Sequence, residues 1–222
     1  MADAVLWAAR GALVVVGLTL WFWTQRLIGA RPSPPTGIGD AVHDWTAPLN
    51  RWLGAHPRAA DALLVASSAM IDLVGVFLIV STIFGPSVRP FVGLFILYTL
   101  RQACQGVCAY APPVGMIWRR PRVPSLLVTY DTATDLFFSG HTAIAVFGAI
   151  ELARLGGGGW WIALGVTIAV FEAVTVLVLR AHYTADVFAA IITALWTVGA
   201  ADFLGPACDR ALASVVQALT GS

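Results

Sequence analysis

The sequence predicts an all-α integral membrane protein, a six-transmembrane helix bundle with an N-terminal interfacial amphipathic segment, and two observations carry that expectation. Of 222 residues, 59% are hydrophobic and 11% charged, with a mean hydropathy of +0.82, far from the balance of a soluble domain. Six stretches, 4–28, 59–84, 90–110, 136–155, 160–181 and 184–206, offer the roughly 20 apolar residues that a membrane-crossing helix needs. No linker or second domain remains, so residues 1–222 read as one membrane domain.

The first span follows Asp3 with no basic leader and is too long for the apolar core of a signal peptide, so it is expected to stay on the chain. It stops at Arg31-Pro32-Ser33-Pro34-Pro35. Beyond that break Ile38, Val42, Trp45, Leu49 and Trp52 recur at helical spacing, with Asp40, His43, Asp44 and Arg51 on the other face. That pattern predicts an amphipathic helix on the membrane surface, its regularity limited by Pro48. Gly85-Pro86 separates the second and third spans, Ala111-Pro112-Pro113 closes the third, and the run Gly156 to Gly159 parts the fourth from the fifth. Trp7, Trp21, Trp23, Trp118, Trp160 and Trp161 lie near span ends, as an aromatic belt would.

Ionisable side chains inside spans cost several kcal/mol unless paired or hydrated, so Asp72, Arg101, Glu151 and Glu172 need partners. Asp72 and Arg101 fall near mid-membrane on consecutive spans and could pair, or Arg101 could reach a substrate phosphate. Glu172 could line a head-group cavity or pair inside the bundle. Glu151, close to the glycine run, is expected to reach toward water.

Several functions are disfavoured. A net charge of +1 lacks the clustered basic excess that nucleic acid requires. Cys104, Cys108 and Cys208 have no companion cluster that would complete a metal site and read as packing residues. No zinc-protease helix, phosphate-binding loop or nucleophile elbow is present. All thirteen basic residues are arginine, a composition of GC-rich bacterial genomes.

Two short blocks stand apart: Asp135 to Thr142, containing Ser139-Gly140-His141, and Arg180 to Val187, containing His182-Tyr183-Thr184-Ala185-Asp186. Up-and-down topology places both at one membrane face, with Arg119, Arg120 and Arg122 just ahead of the first. An imidazole can attack phosphorus if a carboxylate fixes its orientation and holds the proton on its far nitrogen. Asp186 stands four residues after His182, so a continuous helix would make them neighbours. His141 would then serve as acid and base, work suited to a group titrating near neutrality. Arginine and the amides of Ser139 and Gly140 at a helix N-terminus would hold the phosphate charge, and Asp135 could cap that helix or orient His141. His43 and His56 lack such neighbours and read as surface residues.

At these residues the chain resembles the lipid phosphate phosphatase superfamily, and within it the sphingomyelin synthase branch. Of the phosphatase signature only Arg120-Pro121 echoes the first block, Phe138 replaces a proline, and Val176 stands where an arginine is usual. The synthase pattern fits better: an acidic residue before F-S-G-H-T matches Asp135 and Phe138 to Thr142, and H-Y-T-x-D-V matches His182 to Val187. Leu97-Tyr98 and Arg101 through Pro112 loosely resemble that branch's Leu-Tyr-Arg block. The likeness spans roughly 90–200, with the catalytic core at about 90–206.

The resemblance implies His182 as nucleophile, Asp186 as its partner and His141 as proton shuttle. Arg101, Arg120, Arg180, Asp135, Ser139 and Gly140 are the expected substrate and phosphate contacts, and no metal or other cofactor is expected. The implied partners are a phospholipid donor and a lipid alcohol acceptor such as ceramide, with a lipid phosphatase or phospholipase C-like hydrolase as the alternative. Arginine counts would place the site in the cytoplasm, but half of those arginines adjoin the phosphate site and carry no topological information. The resemblance implies an exoplasmic site, here in a bacterial inner membrane.

Overall fold

The computed structural model describes residues 2–30, 38–120, 125–127, 130, 135–156 and 158–220. The proline break from Arg31 to Pro35, and Pro121 with Arg122, lie outside the described residues. The chain runs through seven α-helices: α1 (Ala2–Gly29), α2 (Ala41–Ala55), α3 (Pro57–Phe84), α4 (Arg89–Val107), α5 (Gly140–Gly156), α6 (Gly159–Val178) and α7 (Thr184–Thr220). No strand occurs among the described residues.

Four helices are long and apolar enough to cross a membrane, over Asp3–Leu27, Pro57–Phe84, Gly159–Val178 and Thr184–Thr220. The other two expected spans form shorter helices, α4 with 19 residues and α5 with 17. The reason is local: Cys108 turns extended after α4, and α5 cannot start before Ser139, which caps it. Residues 108–110 and 136–139, apolar enough to be joined to the spans by composition, are therefore not helical. At the other extreme α7 passes straight through Pro206, beyond the expected stop at 206, and has 37 residues. At 1.5 Å per residue it reaches roughly 55 Å, well past a hydrocarbon core of about 30 Å.

α5 is the central helix. It is buried at Gly140, His141, Thr142, Ala143, Ile144, Ala145, Phe147 and Gly148, and packs against α3, α4, α6 and α7. Its approach to α6 is at backbone contact: a Cβ on Gly165 would sit 2.9 Å from the carbonyl oxygen of Ala149. Small residues are what permit such crossings where lipid offers no hydrophobic drive.

The polar residues inside the spans find partners other than those expected. Asp72 does not meet Arg101; its carboxylate accepts the backbone N–H groups of Leu126 and Leu127, each at 2.8 Å. Glu151 does not reach water. It is buried and bonded to Arg89, whose Nε also meets Asp202 at 2.5 Å, and Arg154 closes the network on Asp202 at 2.7 Å. Glu172 pairs inside the bundle, accepting from the Ser67 hydroxyl at 2.6 Å.

α2 forms as an amphipathic helix, with Trp45, Leu49 and Trp52 exposed and His43, Asn50 and Leu53 buried. The face that docks on the protein thus carries His43 and Asn50 beside Leu53, while Asp44 and Arg51 stay exposed. Asn50 Nδ2 donates to the carbonyls of Val178 (2.9 Å) and Gly115 (3.2 Å). Gly115 suits that joint, since its φ of 80° is a conformation that favours glycine.

Candidate active site

The site forms where the C-terminal ends of α1, α4 and α6 meet the N-terminal ends of α5 and α7. Between α6 and α7 the backbone breaks: Arg180 takes φ 55°, and the amides of Ala181 and His182 both turn to the Val176 carbonyl, at 2.9 and 3.4 Å. His182 and Asp186 are therefore not neighbours on a continuous helix. Tyr183 is instead the N-cap of α7, and Asp186, at the third helical position, reaches back to accept the Tyr183 N–H at 2.8 Å. This is the acidic half of a capping box.

Capping aims the same carboxylate at the histidine: Asp186 Oδ2 lies 3.6 Å from His182 Nδ1. That separation is beyond a hydrogen bond. Asp186 Oδ1 accepts the Tyr110 hydroxyl, and Asp186 is 1% exposed. Burial first, and then the charge of Asp186, hold the Tyr110 phenol far above its usual range, so it remains a donor.

The second histidine is placed by another cap. Ser139 Oγ accepts the Thr142 N–H at 3.3 Å and lies 3.0 Å from the Thr142 hydroxyl, starting α5 at Gly140. The Ser139 N–H donates to the backbone carbonyl of Asp186 at 3.2 Å, which ties the two histidine blocks together. His141 is buried, with its ring edge-on to Trp118 at 5.1 Å between centroids.

His141 and His182 line one cavity together with Trp21, Tyr98, Arg101, Trp118, Asp135 and Gly140. Its volume, ≈ 40 Å³, holds about three waters at the ~10–15 Å³ each requires, the scale of a phosphate group rather than a whole lipid head.

Arg101 lines this cavity yet spends most of its donors on the protein. Its Nε donates to the Phe138 carbonyl (2.8 Å), Nη2 to the Asp135 carbonyl (2.7 Å) and Nη1 to Gln25 Oε1 (3.4 Å). Gln25 in turn donates to Asp135 Oδ2 at 2.8 Å. Gly140 lies under the guanidinium, where a Cβ would come within 3.2 Å of Nε. Arg101 thereby clamps the loop that leads into α5.

Of the nine expected site residues, the fold brings His141, His182, Arg101, Asp135 and Gly140 to the cavity, with Asp186 and Ser139 directly behind them. It does not bring Arg180 or Arg120 there. Arg180 donates to the carbonyls of Val114 (2.6 Å) and His43 (2.9 Å), and Arg120 is exposed.

His43 corrects the sequence reading, since it is 5% exposed rather than on the surface. Trp21 and Trp118 line the cavity rather than merely flanking a membrane. Tyr110 and Gln25 carried no sequence signal, because only tertiary contact assigns them partners. Asp40 and His43 did carry one: a carboxylate and an imidazole on the polar side of a surface helix need something to bond.

Fold and site together define a helical membrane protein with a histidine pair and carboxylate at one end of its bundle. The family model described as PAP2 superfamily C-terminal matches residues 132–201, less than half of the chain. This similarity supports the lipid phosphate phosphatase superfamily, and phosphatase or phosphotransferase chemistry on lipids in general. No curated protein and no solved structure matches the chain.

Proposed function

We propose that the protein is a membrane phosphotransferase of sphingomyelin synthase type, moving a phospho-head group from a glycerophospholipid to a lipid alcohol such as ceramide. The observation that carries this reading is the tie between the two histidine blocks, Ser139 N–H to the Asp186 carbonyl, with both imidazoles on one phosphate-sized cavity. In the proposed reaction Nδ1 of His182 faces Asp186, so Nε2 attacks phosphorus. The bond from phosphorus to the glyceride oxygen breaks, and His141 gives its proton to that oxygen. The acceptor hydroxyl then returns a proton to His141 as its oxygen attacks phosphorus, and the bond to Nε2 breaks. Asp186 stabilises the imidazolium formed in the first step. The Gly140 and His141 amides, which have no acceptor among the described residues, offer donors for the phosphate oxygens.

We further propose that α4 and α5 complete six crossings, at about 28 and 26 Å by their lengths, and that the site faces the exoplasmic side of a bacterial inner membrane. The match to the superfamily favours a second reading, hydrolysis, in which water replaces the lipid alcohol at the same intermediate. Purified protein given phosphate-labelled phospholipid, with and without ceramide or diacylglycerol, separates the two. Labelled lipid product that appears with the acceptor supports transfer, whereas water-soluble label unaffected by the acceptor supports hydrolysis. Absence of label on wild-type His182 in a rapid acid-labile trap, with His182→Ala as blank, overturns both.

A further inference from the structure

Neither histidine block explains why His182 should keep one orientation. It stands outside both flanking helices, in a turn with a left-handed residue two positions before it. Asp40 and His43, at the start of α2, pack against that turn. Asp40 is the N-cap of α2, and its Oδ1 accepts the N–H groups of Val42 (2.9 Å) and His43 (3.4 Å). The same carboxylate accepts the Thr184 N–H on Oδ2 at 2.5 Å and the Thr184 hydroxyl on Oδ1 at 2.8 Å. One side chain thus caps α2 and also satisfies the first amide of α7.

His43 lies three residues further along, with Nε2 3.0 Å from the backbone carbonyl oxygen of His182. A carbonyl only accepts, so Nε2 carries the hydrogen and donates. The His43 ring packs on Tyr183 at 5.5 Å between centroids, and its own carbonyl receives the Arg180 guanidinium at 2.9 Å. His43 and His182 are 5% and 6% exposed, so water does not replace the bond if it is lost.

We propose that Asp40 and His43 are positioning residues for His182, and that α2 sets the angle at which its imidazole meets phosphorus. The inference rests on the reading of His182 as nucleophile. Fixing the carbonyl fixes the peptide plane, and with it the direction in which the side chain leaves the backbone. α2 does not need His43 in order to dock, because Asn50 holds it to the carbonyls of Val178 and Gly115. Loss of the His43 donor therefore frees the nucleophile's backbone while the helix stays in place.

The test uses the full chain in phosphatidylcholine vesicles, with radiolabelled phosphatidylcholine and phosphatidic acid as donors in turn. Its readout is the single-turnover rate constant of acid-labile labelling, which is independent of the folded fraction. His43→Phe keeps the ring on Tyr183 and loses the donor, whereas His43→Gln keeps a donor. The Phe variant is expected to label about 10 to 100 times more slowly, the scale of a misplacement of about 1 Å, with donor KM within about threefold and the Gln variant close to wild type. His43→Phe labelling at the wild-type rate, or His43→Gln as slow as His43→Phe, overturns the proposal. Wild type that never labels overturns the nucleophile reading instead.

Discussion

Replacing Tyr110 by phenylalanine removes one hydroxyl from the site and leaves the ring, which packs 5.7 Å from that of Tyr183. The hydroxyl donates to Asp186 Oδ1, while Oδ2 keeps the Tyr183 N–H. Asp186 is 1% exposed, so no bulk water takes the vacated position. A hydrogen bond to a charged group contributes about 1.5–3 kcal/mol, and about 1.4 kcal/mol is tenfold in rate. Because the carboxylate retains its second restraint, the rate expresses the lower end of that range: labelling about tenfold slower, with donor KM little changed and folding stability lower by about 1–2 kcal/mol. Single-turnover labelling gives the first quantity and denaturant titration in mixed micelles the second. Wild-type labelling in Tyr110→Phe would show that the orientation of Asp186 does not depend on this bond, and the account of how the carboxylate is aimed would fall.

Gly140→Ala puts a methyl group 3.2 Å from Arg101 Nε, so the guanidinium must shift; labelling is expected to slow several-fold with intact folding, and an unchanged rate would remove Arg101 from the site. Glu151→Gln breaks a buried pair with Arg89 at the far end of the bundle, so stability should fall by about 3 kcal/mol while labelling per folded molecule stays at the wild-type rate. Asp40 should set an acid limit. Burial opposes its ionisation, but the bonds from Thr184, the charge of His43 and the bond from the His43 amide together hold its pKa below the usual 3.8. Its contribution is therefore complete above about pH 4 and lost as pH falls through the depressed value. Asp40→Asn should flatten that acid limb in a stability profile, and an unaltered profile would contradict the double cap.

The histidines, their blocks and the amphipathic helix were legible in the chain because each rests on local spacing or on composition. Asp186 illustrates where spacing misleads: its separation from His182 suits a helix, yet the two meet across a helix cap. His182 sits in the turn just ahead of that cap, its amide on the Val176 carbonyl. Arg180 illustrates the other limit, since an arginine beside a candidate histidine block looks like a phosphate ligand until the carbonyls of Val114 and His43 are seen to hold it.

By itself the sequence determined that this is a helical membrane protein and which residues are candidates for chemistry, since apolar run length and residue type are properties of short segments. Only the tertiary structure decided what contacts them: Tyr110 bonds Asp186, Gln25 bonds Asp135, and α2 meets the backbone of His182. The physical reason is that a buried polar group must be paired wherever the fold allows. Partners such as Asn50 and Val178, or His43 and His182, lie more than 120 residues apart in the chain and meet only after the helices have packed.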